Sequence, residues 1–309
     1  MDLKSILPSR LYEIIDRVEL TSKQIILLSI WDLKKLTNLN KDDILILKHI
    51  VSQNCSQTPV NGNDIPEEAP RIPTGCKCID SLLNGVFVGG LTEIFGESGT
   101  GKTQIAIQAA ALSYATGSVF ICTEDLFPVT RYNQICEHYL KNKTYGENVF
   151  IELLTHPQEL ISCVKVRLPK LLDNNKISLL VIDSIAAPFR CEYTNYIQRA
   201  EELKDIGFSL ISLAQKYNFA VICINQVTSS FDESDNVVPS LGLVWSNMIS
   251  YRIKISKTNE MIKYNSRETN VRSFTLVTSP ETLSDTAKFI ITENGNIVYR
   301  KDTCNPNSA

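Results

Sequence analysis

No apolar run in the 309-residue chain approaches the roughly 20 residues that a membrane span needs. Its first residues, Met-Asp-Leu-Lys-Ser, lack the basic-then-apolar pattern of a secretory signal. A soluble intracellular protein with no membrane partner is expected. Neither charge sign is in excess: 31 Lys plus Arg face 34 Asp plus Glu, a net charge of −3. That excludes a binder that is strongly basic throughout, so any nucleic-acid contact has to come from a local patch or from a partner. Internal repeats and low-complexity tracts are missing as well. With 43% apolar and 21% charged residues, the composition excludes a largely disordered chain, a collagen and a coiled-coil rod. The length suits one large domain, alone or with a small one attached.

Cysteine is present, but not in a pattern. The nine residues are odd in number and irregularly spaced, and Cys122 and Cys223 sit inside apolar runs. Buried thiols in a reducing compartment account for this better than a disulfide framework. The close pair Cys76-Lys-Cys78 has no second pair and no nearby histidine, which leaves a zinc site short of ligands.

Composition changes along the chain. Residues 1–52 read as a small all-helical domain: Ile6, Leu7, Leu11, Ile14, Ile15 and Val18 recur at helical spacing, and Ser29 and Asn40 stand at helix starts with an acid three residues on. Residues 53–70 are polar and rich in turn formers, a linker. From residue 71 to about 300, strands alternate with helices, and 301–309 form a tail. Leu91–Phe95, Ser118–Thr123, Ile177–Ile182 and Phe219–Ile224 are apolar strands; 103–115, 159–172 (distorted at Pro169) and the seam Leu203, Ile206, Leu210, Leu213, Tyr217 are helices. Strands apolar on both faces and separated by helices imply an α/β core with a mostly parallel central sheet. Closer-spaced strands at 251–255, 273–277 and 289–299, the last carrying the turn signal Glu293-Asn-Gly-Asn296, imply an antiparallel end.

Gly96-Glu97-Ser98-Gly99-Thr100-Gly101-Lys102-Thr103 matches the phosphate-loop pattern G-x-x-x-x-G-K-[ST] in full, between an expected strand and an expected helix. Its glycines let successive backbone N–H groups face one phosphate, and the helix N-terminus adds positive potential. Lys102 would reach the β- and γ-phosphates and Thr103 would ligate Mg²⁺, with Gln104 following in the first helical turn. Asp183 ends the strand Leu179–Ile182 on the sheet side where phosphate loops lie, and is expected to hold the Mg²⁺ shell. Glu124, just past the strand ending at Thr123, is the best candidate to orient water. Gln226 follows another strand and would sense the γ-phosphate; its alternative is an ordinary turn role.

Together with Ile72-Pro-Thr-Gly75, Ile79–Gly85, Gly89–Gly96, Cys122–Pro128, Val181–Glu192 and Cys223–Thr228, these residues resemble the RecA-type recombinase family in its eukaryotic and archaeal branch. Within it they look like one eukaryotic paralogue group, as does Leu33–Leu39. The resemblance implies a RecA-like phosphate-loop core that binds ATP and Mg²⁺ between subunits. It implies Glu124 as the catalytic glutamate, Arg131 as the adenine-stacking arginine and Gln226 as the γ-phosphate sensor. Val277–Glu281 would cap a neighbour's nucleotide, and residues 190–202 and 228–241 would be the two DNA loops. The implied function is homologous-recombination repair of DNA breaks and crosslinks. The chain would be one subunit of a hetero-oligomer with another recombinase paralogue, paralogue C being the expected one, supporting the main strand-exchange recombinase. Residence in the nucleus, with some in the cytoplasm, follows, as does weak DNA-dependent ATP hydrolysis that needs the partner subunit. A scaffold that binds ATP without turning it over is the alternative; a helicase-like motor is a third.

Two departures from the family pattern qualify this. The second loop holds three acids and no base, which repels the DNA backbone. The first, counted through Lys204, sets Arg190, Arg199 and Lys204 against Glu192, Glu201 and Glu202 and is neutral, although Tyr193 and Tyr196 could stack bases. The linker lacks the family's Phe-x-x-Ala joining peptide, which favours a hetero-partner over long self-filaments. A local basic stretch, Arg252, Lys254, Lys257, Lys263, Arg267 and Arg272, reads either as a charged sheet edge or as a DNA-backbone surface.

Overall fold

The computed structural model describes residues 3–55, 61–64, 70–140, 146–191, 195–229 and 237–299. Much of the linker and of the second loop, residues 192–194 of the first loop with Tyr193, and the tail lie outside them. The chain divides into two compact units, residues 1–67 and 68–309.

In the first unit, five helices run Leu3–Ile6, Ser9–Arg17, Ser22–Leu27, Ile30–Thr37 and Lys41–Cys55. The first apolar stripe is cut by Pro8, which stands as the N-cap of the second helix. The Ser29 hydroxyl accepts from Asp32 N, and the Asn40 side chain accepts from Asp43 N at 2.7 Å, satisfying N–H groups that a helix start leaves free. Leu11, Ile15, Ile25, Leu33, Ile44 and Leu47 close the core.

The second unit is built on a nine-stranded sheet. In chain order its strands are β1 (Leu91–Phe95), β2 (Ser118–Cys122), β3 (Val149–Leu153), β4 (Leu179–Asp183), β5 (Ala220–Asn225), β6 (Tyr251–Tyr264), β7 (Arg267–Thr278), β8 (Thr286–Thr292) and β9 (Gly295–Val298). The spatial order is β9-β8-β7-β6-β1-β5-β4-β2-β3. From β6 through β3 neighbouring strands are parallel, and from β6 through β9 they are antiparallel. The apolar runs bury both faces. Phe120, Val181 and Ile222 enter one core, with helices α1 (Lys102–Leu112) and α2 (Val129–Leu140) over it. Ile121, Ile182 and Cys223, one residue on, enter the other, beneath α3 (Tyr196–Tyr217). The two-residue period of a strand makes this division.

Two expectations are refined. The helix expected over 159–172 is three pieces: Pro157–Ser162, a π-helical stretch Cys163–Arg167, and Leu168–Asn174. Pro169 has no N–H for the carbonyl four residues back and crowds it. The ladder before it loosens by one residue, so that Leu168 N donates to Cys163 O. The short strands expected at 251–255 and 273–277 are the inner halves of a long hairpin, β6–β7, paired out to Tyr264↔Arg267. Within the basic stretch, Arg252 and Lys254 lie where β6 runs between β1 and β7, whereas Lys257 and Lys263 lie in the outer half of the hairpin, beyond the pairing with β1.

Candidate nucleotide site

β1 delivers the chain to the loop, and α1 leaves it. Gly96 passes so close to β6 that a Cβ there would stand 2.2 Å from Ile255 O. Gly101, at φ +104°, would drive a Cβ to 2.5 Å from the Ile291 side chain. Neither position tolerates a side chain. Lys102 Nζ donates to Gly96 O and Glu97 O, both at 2.8 Å, tying the loop's ends to its ammonium. Thr100, buried, donates its hydroxyl to Glu97 O, whereas Ser98 and Gly99 are exposed.

Asp183 at the end of β4 accepts a 2.6 Å hydrogen bond from the Thr103 hydroxyl. Burial raises the Asp183 carboxyl above its ordinary range, and the Thr103 hydrogen bond and the Lys102 ammonium oppose it. Burial likewise lowers Lys102, opposed by Asp183 and Glu124. The hydroxyl and carboxylate set side by side are the hard oxygen donors that Mg²⁺ takes.

Beyond β2, Glu124 is held on both oxygens: Gln226 Nε2 donates at 2.5 Å and the Ser184 hydroxyl at 3.4 Å. The Gln226 carbonyl in turn accepts from Arg190, which also donates to Val227 O at 3.1 Å. The chain Ser184–Glu124–Gln226–Arg190 thus joins the ends of β2, β4 and β5 to the starts of both expected DNA loops. Arg131, on α2, donates through Nε to Gln104 Oε1 at 2.7 Å, and its other nitrogens reach Thr292 O and Glu293 O in the β8–β9 turn. Gly96, Ser98, Gly99, Gly101, Lys102, Thr103, Gln104, Glu124, Asp183 and Gln226 line one cavity of about 840 Å³, room for a nucleotide. Arg131 stands at its rim through Gln104. Val277–Glu281 does not line this cavity; Glu281 pairs with Arg71 instead.

Sequence reasoning missed three features. Glu93, in the middle of β1, is fully buried and accepts from Asn225 Nδ2, Trp245 Nε1 and Arg252 Nε at 2.6–2.8 Å. Arg252 is thereby withdrawn from any DNA surface. Ser184 and Arg190 are partners of Glu124 and Gln226; the first adjoins Asp183 in sequence, a signal within reach. Arg272 of β7 lines the cavity beside Gly101, and nothing in its local sequence announces that.

A mostly parallel sheet with a phosphate loop after its central strand, and antiparallel strands at one end, defines a RecA-like core. A family model described as Rad51 matches residues 67–298, and the chain belongs to the Rad51 family. "DNA repair protein XRCC3" of Bos taurus is 34% identical over 216 residues, covering 61% of this chain and 63% of that protein. The Mus musculus protein of the same name is 31% identical over 305 residues, covering 84% and 87%. "DNA repair protein rhp57" of Schizosaccharomyces pombe is 28% identical over 320 residues, covering 85% and 88%. The chain is thus a RecA-type recombinase paralogue akin to the proteins named XRCC3.

Proposed function

We propose that this chain is an ATP-binding subunit of a hetero-oligomer that acts in recombinational DNA repair, in the nucleus with some in the cytoplasm, beside another recombinase paralogue and in support of the main strand-exchange recombinase. The relatives named for DNA repair support the process. The observation that carries the site is the complete loop 96–103, with Thr103 bonded to Asp183 and Glu124 across the same cavity.

In this reading the amides of Gly96, Glu97, Ser98, Gly99, Thr100 and Gly101 surround the phosphates and Lys102 neutralises them. Thr103 and Asp183 hold Mg²⁺, while Gln104 and Arg131 shape the base side. When bound, ATP and Mg²⁺ supply the scissile phosphoryl group and its counter-charge. Glu124 orients and deprotonates water once Gln226 lets go of its carboxylate, and the Gln226–Arg190 contact carries that change toward the DNA loops. Hydrolysis is slow because the cap must come from a neighbour.

The test is a calorimetric titration of Mg-ATP into the full chain, alone and in complex with its partner. Lys102→Ala is expected to lose detectable binding with its circular dichroism spectrum intact; binding equal to wild type overturns the reading. One observation favours the scaffold alternative, in which bound ATP is not turned over: both Glu124 oxygens are already engaged.

A further inference from the structure

Lys257 and Arg272 face each other as a directly opposed pair in the β6–β7 ladder. Like charges in that position repel, and among the described residues no carboxylate joins either one. The two lie along the phosphate loop. Lys257 Nζ is 3.3 Å from where a Cβ on Gly99 would stand, and Arg272 Cδ and Nε are 3.6 Å from the corresponding point on Gly101. Arg272 Nη1 donates to Asn270 O at 2.8 Å, while its Nε is buried with no hydrogen-bond partner. The guanidinium is half-buried, and burial alone depresses its basicity, with no acid opposing the effect. Arg252 is answered by Glu93 and Arg71 by Glu281, whereas Arg272 meets a backbone carbonyl and, among the described residues, no carboxylate. A half-buried cation with no carboxylate partner and an unsatisfied Nε, beside a second cation, is unfavourable unless an anion binds there.

We propose that Arg272, with Lys257 opposite it, is a second cationic flank of the nucleotide site, supplied by the same chain, which grips the phosphate chain of a nucleoside di- or triphosphate from the Gly99–Gly101 side. The proposal rests on the nucleotide-binding reading above. It assigns to this site two bases that the sequence shows only as members of a basic stretch. An Arg fork on a phosphate forms charge-assisted hydrogen bonds, and Lys257 adds a point charge. The pair lies within the reach of one subunit, so binding should not wait for a partner's cap.

The experiment compares wild type, Arg272→Gln, Lys257→Gln and Lys102→Ala as full chains, titrated with Mg-ATP, Mg-ADP and adenosine. Arg272→Gln is expected to weaken ATP and ADP alike by about tenfold or more and Lys257→Gln by a few-fold. Adenosine binding should stay the same. The nucleotide-free melting temperature of Arg272→Gln should be equal to wild type or higher, since a half-buried cation with no carboxylate partner is removed; a merely structural arginine would lower it. If Arg272→Gln fails to fold, Arg272→Lys carries the test, with severalfold weaker binding expected because the fork is lost. Wild-type affinity in the Arg272 variants while Lys102→Ala abolishes binding overturns the proposal and spares the nucleotide reading. So does a loss of DNA affinity at unchanged nucleotide affinity, which gives the pair to a DNA backbone. If the wild type binds neither nucleotide, the nucleotide reading itself fails.

Discussion

Glu124 shows how one side chain divides two functions that share a binding site. Its carboxylate sits within hydrogen-bond reach of Gln226 and Ser184 and faces Lys102 and Asp183 across the cavity. Glu124→Gln keeps the shape and removes the base. In the assembled complex it should leave Mg-ATP affinity within about twofold and cut phosphate release by roughly 10²–10⁴. Single-turnover phosphate release is the measurement, and unchanged release, with repair activity intact in cells, would assign ATP a structural role. At this scale the sequence was most readable where chemistry is contiguous. Gly96 to Thr103 is one motif, and Asp183 and Glu124 announce themselves by ending apolar strands. Glu93 was hidden for the opposite reason. Its partners Asn225, Trp245 and Arg252 come from three later segments, and in the string it is one acid inside an otherwise uncharged strand.

Among the elements, β1 holds the site rigid through that buried carboxylate. Glu93 pairs with Arg252 on the next strand and holds the Asn225 amide, whose carbonyl accepts from Gln226 N. Removing one partner of a buried ion pair strands the other charge. Glu93→Ala is therefore expected to cost about 3–5 kcal/mol, read as a shift of the core's urea-unfolding midpoint; a loss below about 1 kcal/mol would show that Arg252 is well solvated without it. The β6–β7 hairpin illustrates what periodicity does not reveal. Its inner half alternates buried and half-buried residues against β1, but from Lys257 outward no position of β6 is buried. That outer half carries no apolar stripe for a sequence reading to find. The turn holds the missing signal. Asn265 and Ser266 both have positive φ, 46° and 64°, the geometry of a two-residue hairpin turn. Asn suits it and Ser does not, since a left-handed residue with a Cβ is strained by about 1–2 kcal/mol. Ser266→Gly should relieve that strain and slow amide exchange at Tyr264 and Arg267. Faster exchange would mean that the gain in glycine flexibility outweighs the relief.

The whole molecule raises the question of what completes the site. Three features bear on it. The Val277–Glu281 segment lies away from its own chain's cavity, with Glu281 engaged by Arg71. Residues 228–240 carry three acids and no base, unlike a loop built to follow a DNA backbone. Between residues 53 and 70 no Phe-x-x-Ala occurs. On the proposed reading, such a chain would offer a cap to a neighbour and receive one in a hetero-oligomer rather than repeat itself along DNA. Coexpression of the full chain with a second Rad51-family paralogue should therefore yield a discrete complex with one copy of each by native mass measurement. In that complex, ATP turnover should exceed that of either subunit alone, because the neighbour supplies the missing wall of the cavity. The isolated chain with Mg-ATP and single-stranded DNA should form no extended filaments under electron microscopy. Continuous filaments of this chain alone would overturn the hetero-oligomer reading while leaving the nucleotide site standing.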